Sequence, residues 1–134
     1  MNMHDKDKHK YQAIGTINIS VFESDFGKLQ TDKVVLTSER EVHIRNHHPD
    51  DYFLFEQYAK DVITNPDIIL RDVKNVGTVL MIMKLPDSNL NMVIRLALES
   101  DDEGLMNSIM TFYRVRASNL KRLLSKNKII YNKE

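Results

Sequence analysis

Val79-Leu80-Met81-Ile82-Met83-Lys84-Leu85-Pro86-Asp87-Ser88-Asn89-Leu90-Asn91-Met92-Val93-Ile94-Arg95-Leu96-Ala97-Leu98 holds two apolar runs split by a turn sequence. The first run, Val79 to Met83, is almost continuously apolar. The second, Leu90 to Leu98, alternates. Pro86-Asp87-Ser88-Asn89 supplies the residues that reverse a chain, so the two runs are expected to pair as an antiparallel hairpin. With a side-chain period of two, Met92, Ile94, Leu96 and Leu98 point one way, and Val93, Arg95 and Ala97 the other. Arg95 therefore interrupts an apolar row.

Outward from this hairpin the chain alternates in character. On its C-terminal side the acidic loop Glu99–Gly104 precedes a strand expected over Asn107–Val115, with Met110 and Phe112 toward the core and Thr111 and Tyr113 away from it. Leu120, Leu123 and Leu124 mark a short helix from Ala117 to Ser125, and Ile129-Ile130-Tyr131 a closing strand. On the N-terminal side lies a short strand, Ile68-Ile69-Leu70. Before it, Tyr52, Phe55, Ala59 and Val62 form a helical stripe that stops at Asn65-Pro66. An earlier helix is expected from Glu39 to His47, with Ser38 as its cap and Glu41 closing a capping box. Pro49 turns the chain at His48, and Asp50 or Asp51 is positioned to cap the second helix. Lys33–Thr37 reads as a strand, and so does the β-branched and aromatic segment from Ile14 to Phe22. The order is an N-terminal strand region, two helices, an antiparallel sheet and a short C-terminal helix, which is an α+β domain. Residues 1–12 read as a polar lead-in and 13–134 as one domain.

Composition agrees with a single packed core. The chain has 134 residues, 42% hydrophobic and 28% charged, which neither disorder nor a channel fits. It has no cysteine, so disulfides, thiol nucleophiles and cysteine-ligated zinc are excluded. No apolar run approaches the roughly 20 residues that span a bilayer. The opening residues lack the apolar segment of a secretion signal, so a cytoplasmic location is expected, with no membrane partner.

The net charge is zero with neutral histidines, yet the charges are unevenly placed. From Phe112 onward Arg114, Arg116, Lys121, Arg122, Lys126, Lys128 and Lys133 face one acid, Glu134. A basic end of this kind suits a polyanion, and equally suits a solvated helix face.

Three histidines lie together at the end of the first helix: His43, His47 and His48. Imidazole titrates near neutrality and is the usual proton carrier there. On a helix Arg40, His43, Ile44 and His47 share a face, whereas His48 would lie well round the cylinder unless Pro49 releases it. His43 and His47 also have the spacing of two metal ligands, but Ile44 stands where a zincin helix carries its glutamate. The same histidines serve equally as a solvated helix end that caps carbonyls. If the strands containing Arg95 and Thr111 pair, Arg95, Thr111 and Tyr113 bring a guanidinium, a hydroxyl and a phenol to one sheet face, a set that can hold a phosphate. The competing reading of Arg95 is a pair with a surface carboxylate.

In order, Val35-Leu36-Thr37-Ser38-Glu39-Arg40-Glu41-Val42-His43-Ile44, His48-Pro49, Asn65-Pro66-Asp67, an apolar hairpin, Ser108-Ile109-Met110-Thr111 and Ile130-Tyr131 resemble the phage-associated nuclease domains of the barnase, EndoU, colicin tRNase and RelE superfamily. The resemblance spans roughly residues 33–132. It implies helices followed by an antiparallel sheet of four or more strands, and endoribonuclease activity without a metal or any other cofactor. His43 and His48 match the histidines of the pattern, Thr111 its late-strand hydroxyl and Arg40 its basic position, while His47 beside His48 is a departure.

The implied mechanism is attack of a ribose 2′-hydroxyl on the adjacent phosphorus, with His43 and His48 as base and acid in either order. Arg95, or alternatively Arg40, would stabilise the phosphorane, and Thr111 would bond a non-bridging oxygen. Tyr113, Arg114, Arg116, Lys121 and Arg122 would bind the substrate. The implied partner is RNA, tRNA included, with a cognate inhibitor or a phage protein as a second partner, in the setting of a toxin-like phage or mobile-element product. The alternative is a non-catalytic RNA- or protein-binding module on the same fold.

Overall fold

The computed structural model describes residues 10–133. Seven strands form one sheet: β1 (Tyr11–Thr16), β2 (Lys33–Thr37), β3 (Ile68–Arg71), β4 (Thr78–Lys84), β5 (Asn89–Arg95), β6 (Asn107–Val115) and β7 (Lys128–Asn132). Their spatial order is β1-β2-β6-β5-β4-β3-β7, with every neighbouring pair antiparallel except β2 and β6. The helices are α1 (Glu23–Phe26), α2 (Ser38–His47), α3 (Tyr52–Thr64) and α4 (Ala117–Lys126). The fold is α+β.

Two cores sit on opposite faces of the sheet. One joins Ile44 of α2 and Phe55, Val62 and Ile63 of α3 to Met81, Met92, Ile94 and Phe112. The other joins Ile68, Leu70, Leu80, Ile82 and Val115 to Leu120 of α4. Each fully buried side chain of this kind contributes about 1.5–3 kcal/mol of transfer free energy. Strands β3 and β4 are buried on both faces, which is why their sequences lack alternation. Helix α4 covers the second face over these strands. The same face of β5 and β6 carries the half-buried residues Val93, Arg95, Ser108, Thr111 and Tyr113.

Helix α2 is placed by a short strand pairing. β2 meets β6 only at Val34–Asn107 and Val35–Ser108, after which the chain turns into α2, which packs against β6. Asn107 locks this junction: its fully buried amide donates to the Thr31 and Lys33 carbonyls, each at 2.9 Å, and accepts from Ala97 N–H at 2.8 Å.

Several sequence expectations are corrected. The segment Ile14–Phe22 is not one strand: β1 spans Tyr11–Thr16, starting before residue 13, and a 3₁₀ turn (Ile19–Val21) and α1 follow. Asn18 Oδ1 accepts from Ser20 N–H at 3.3 Å and Ser20 Oγ at 2.7 Å, a local alternative to sheet pairing. The cap of α2 is Thr37, not Ser38, since Thr37 Oγ1 accepts from Arg40 N–H at 3.2 Å. That puts Arg40 rather than a carboxylate at the third helical position, so the capping box with Glu41 does not form. Asp51 makes no cap bond and instead binds Arg114. β5 ends at Arg95 because Ala97 N–H is taken by Asn107, and Leu98 bridges Leu29. In β6 a bulge between the Thr111 and Ile109 pairings puts Ile109, not Met110, in the core with Phe112.

Candidate functional site

The site is built at the exit of α2, beside the less covered face of β5 and β6. Ile44 is fully buried and fixes the helix against the sheet. That leaves His43 and His47, one turn apart, on accessible surface with their Nδ1 atoms 3.2 Å apart and ring planes at 72°. His48 leaves the helix at φ −135°, ψ 55°, while its N–H still bonds the Ile44 carbonyl at 2.8 Å. Pro49 follows directly and enforces this departure.

Released from the helix, the His48 ring stacks on Tyr113, with centroids 5.2 Å apart and planes at 26°. Tyr113 is held in turn by Asn91, its direct cross-strand partner, whose Nδ2 donates to the phenol oxygen at 3.0 Å. Asn91 is fully buried, and sequence reasoning did not single it out. The available signal was a lone amide in an apolar strand, on the same face as Arg95. Asn91 Oδ1 and the neighbouring Thr111 Oγ1 are both buried with no hydrogen-bond partner.

The electrostatics of the cluster favour a neutral His43. Partial loss of solvent around its ring holds its pKa below the ordinary imidazole value, and the charges of His47, Arg40 and His48 add to that. Arg40, His43, His47 and His48 thus form one electrostatically coupled group. Among the described residues, no three or more histidines or carboxylates gather as a metal-binding cluster.

The other expected site residues divide. Thr111 and Tyr113 do share the Arg95 sheet face. The Arg95 guanidinium, however, donates to Asp101 Oδ1 at 3.0 Å and to the Leu96 carbonyl. It lies against Gly77, at φ +72°, where any Cβ would collide with it. Of the two readings of Arg95, the carboxylate pair is the arrangement present. Asp101 also accepts from Leu98 N–H at 2.8 Å, and that bond, followed by Arg95, holds its carboxyl below the usual range.

Arg114 is tied to Asp51 through Nε at 2.6 Å and its backbone N–H at 3.0 Å. It borders two open grooves. One, about 360 Å³, is lined by Tyr113, Arg114, Asn119, Arg122 and Leu123. The other, about 780 Å³, is lined by Asp51, the residue 85–89 turn, Arg114 and Arg116. Arg116, Lys121 and Arg122 are exposed, with Lys121 on α4 outside both linings. Among the described residues, no helix is long and apolar enough to cross a membrane. No family model matches the chain, and comparison with curated proteins and with solved structures likewise finds no match.

Proposed function

We propose that the chain is a metal-independent endoribonuclease that uses the histidine cluster at the end of α2. The observation that carries this reading is a histidine held toward its neutral form, His43, beside a second one, His48, oriented by stacking on Tyr113. In the proposed cycle the Nδ1–H of neutral His43 donates a hydrogen bond to His47 Nδ1, a tautomer that leaves the Nε2 lone pair of His43 as the base. That base removes the 2′-hydroxyl proton, O2′ bonds to phosphorus, and His48 protonates the departing 5′-oxygen. A 2′,3′-cyclic phosphate and a 5′-hydroxyl result. With Arg95 occupied by Asp101, the alternative of the two, Arg40, would stabilise the phosphorane. Arg114, Arg116 and Arg122 along the grooves, and Lys121 on α4 beside them in the chain, would hold flanking phosphates, with RNA, tRNA included, as the partner.

The test incubates purified protein with total RNA and tRNA in EDTA, beside His43→Ala and His48→Ala variants. Cleavage by the parent and its loss in both variants is the expected result. Cleavage that persists equally in both variants overturns the mechanism.

A second reading, a non-catalytic RNA- or protein-binding module of phage or mobile-element origin, draws on two observations. Arg95 is engaged elsewhere and Thr111 Oγ1 is enclosed rather than presented. Absence of cleavage together with retained RNA binding selects this reading. Capture of a cognate inhibitor or a phage protein would identify its partner.

A further inference from the structure

We propose that His43 and His47 form a site for a borderline divalent cation, with zinc as its representative, and that occupation of the site withdraws His43 from base catalysis. The second half rests on the ribonuclease reading; the first does not. Their Nδ1 atoms are 3.2 Å apart. A tetrahedral zinc with bonds of about 2.0–2.1 Å places neighbouring ligand nitrogens about 3.3 Å apart. The pair therefore already has the edge length that a shared metal requires.

The spacing is set by one helix turn, and the helix is anchored by buried Ile44, so little reorganisation is needed. Both rings are accessible. Arg40 and His48 oppose a cation electrostatically, and two protein ligands leave two coordination positions to water. The site therefore suits reversible binding rather than a permanent structural metal.

The chemistry of inhibition follows from the tautomer. In the metal-free pair one Nδ1 carries the proton of the His43–His47 hydrogen bond. Binding of Zn²⁺ displaces that proton from Nδ1 while the same ring takes up one at Nε2, so two Zn–N bonds form with no net proton release. His43, now metallated at Nδ1, must carry its hydrogen at Nε2 and has no acceptor left for a 2′-hydroxyl proton.

The experiment uses the full, EDTA-stripped chain carrying His4→Ala and His9→Ala, which removes the two histidines of the N-terminal segment. Zinc chloride is titrated by calorimetry without RNA. The expected result is saturable binding of one zinc per chain, lost in His43→Ala and in His47→Ala and retained in His48→Ala. No saturable binding, or binding unchanged in His43→Ala, overturns the site. Cleavage is then measured in EDTA and at saturating zinc: its loss with zinc in the parent supports inhibition, and cleavage by the zinc-loaded parent at its EDTA rate overturns it. Zinc binding in a chain that cleaves no RNA supports the site while removing the ribonuclease reading. Cleavage in EDTA without saturable zinc binding does the reverse.

Discussion

His48 stacks on Tyr113 at 5.2 Å, and Tyr113 is fixed by a buried amide, Asn91, at 3.0 Å. The position of a loop histidine is thereby set by a core residue of β5. Tyr113→Phe removes the phenol oxygen to which Asn91 Nδ2 donates, and a buried polar group without a partner costs about 1–3 kcal/mol. Asn91→Leu removes the orphaned Oδ1 and the donor together, so the Asn91→Leu/Tyr113→Phe pair should recover part of that loss. Urea unfolding of the three variants checks this; strictly additive effects would show that the two residues are uncoupled.

Arg95 should matter for stability rather than for phosphate chemistry. Its guanidinium joins Asp101 to the Leu96 carbonyl over Gly77. Gly77→Ala should cost about 1–2 kcal/mol from its left-handed backbone alone, with displacement of Arg95 in addition. Arg95→Ala should lower the melting temperature while leaving RNA cleavage within a few-fold of the parent, whereas Arg40→Ala should lower cleavage at least about tenfold, the cost of losing a charge-stabilising group of about 1.4 kcal/mol. Parallel melting and cleavage measurements separate the two roles.

His43 should titrate below the ordinary imidazole value of about 6.5. Because the unfolded chain takes up this proton first as the pH falls, His43 subtracts stability on descending through 6.5 toward its lower native value, and subtracts nothing above 6.5. An NMR titration of the imidazole resonances reads the midpoint directly. Arg40→Gln removes one of the opposing charges and should move the midpoint upward. If the proposed base is correct, the acid limb of kcat/KM moves with it; a limb that stays put while the NMR midpoint moves assigns the base elsewhere.

The parts of this fold legible in the sequence are those with an unambiguous boundary. β6 runs over Asn107–Val115 as expected, because the acidic loop before it and the polar start of α4 after it bound an apolar-rich run. Its bulge was not legible, since Ile109 and Met110 are both apolar and either satisfies a core position. The segment Ile14–Phe22 reads as a strand because its β-branched content outweighs the signal of one capping residue, Asn18. In the site, the His43–His47 spacing and the release of His48 by Pro49 were both local and readable. The pairing of Arg95 with Asp101 and its seat on Gly77 depend on two loops that converge only in the folded sheet. The role of Asn91 depends likewise on the β5–β6 register.

The zero net charge of the chain should not prevent salt-sensitive RNA binding, because the cations are gathered. Arg114 and Arg116 border one groove and Arg114 and Arg122 the other, with Lys121 exposed on α4 nearby in the chain. For a single strand each neutralised phosphate contributes about −0.7 to the slope of log K against log salt. Arg116→Ala, Lys121→Ala and Arg122→Ala should each flatten the slope by about that amount if the residue contacts a phosphate. Arg114→Ala should do more than remove a contact, because Asp51 would lose its side-chain partner at 2.6 Å and add a free negative charge to the groove. Binding isotherms at several salt concentrations, with cleavage blocked by His43→Ala, measure these slopes. A slope near zero in the parent would show that this basic surface does not hold RNA.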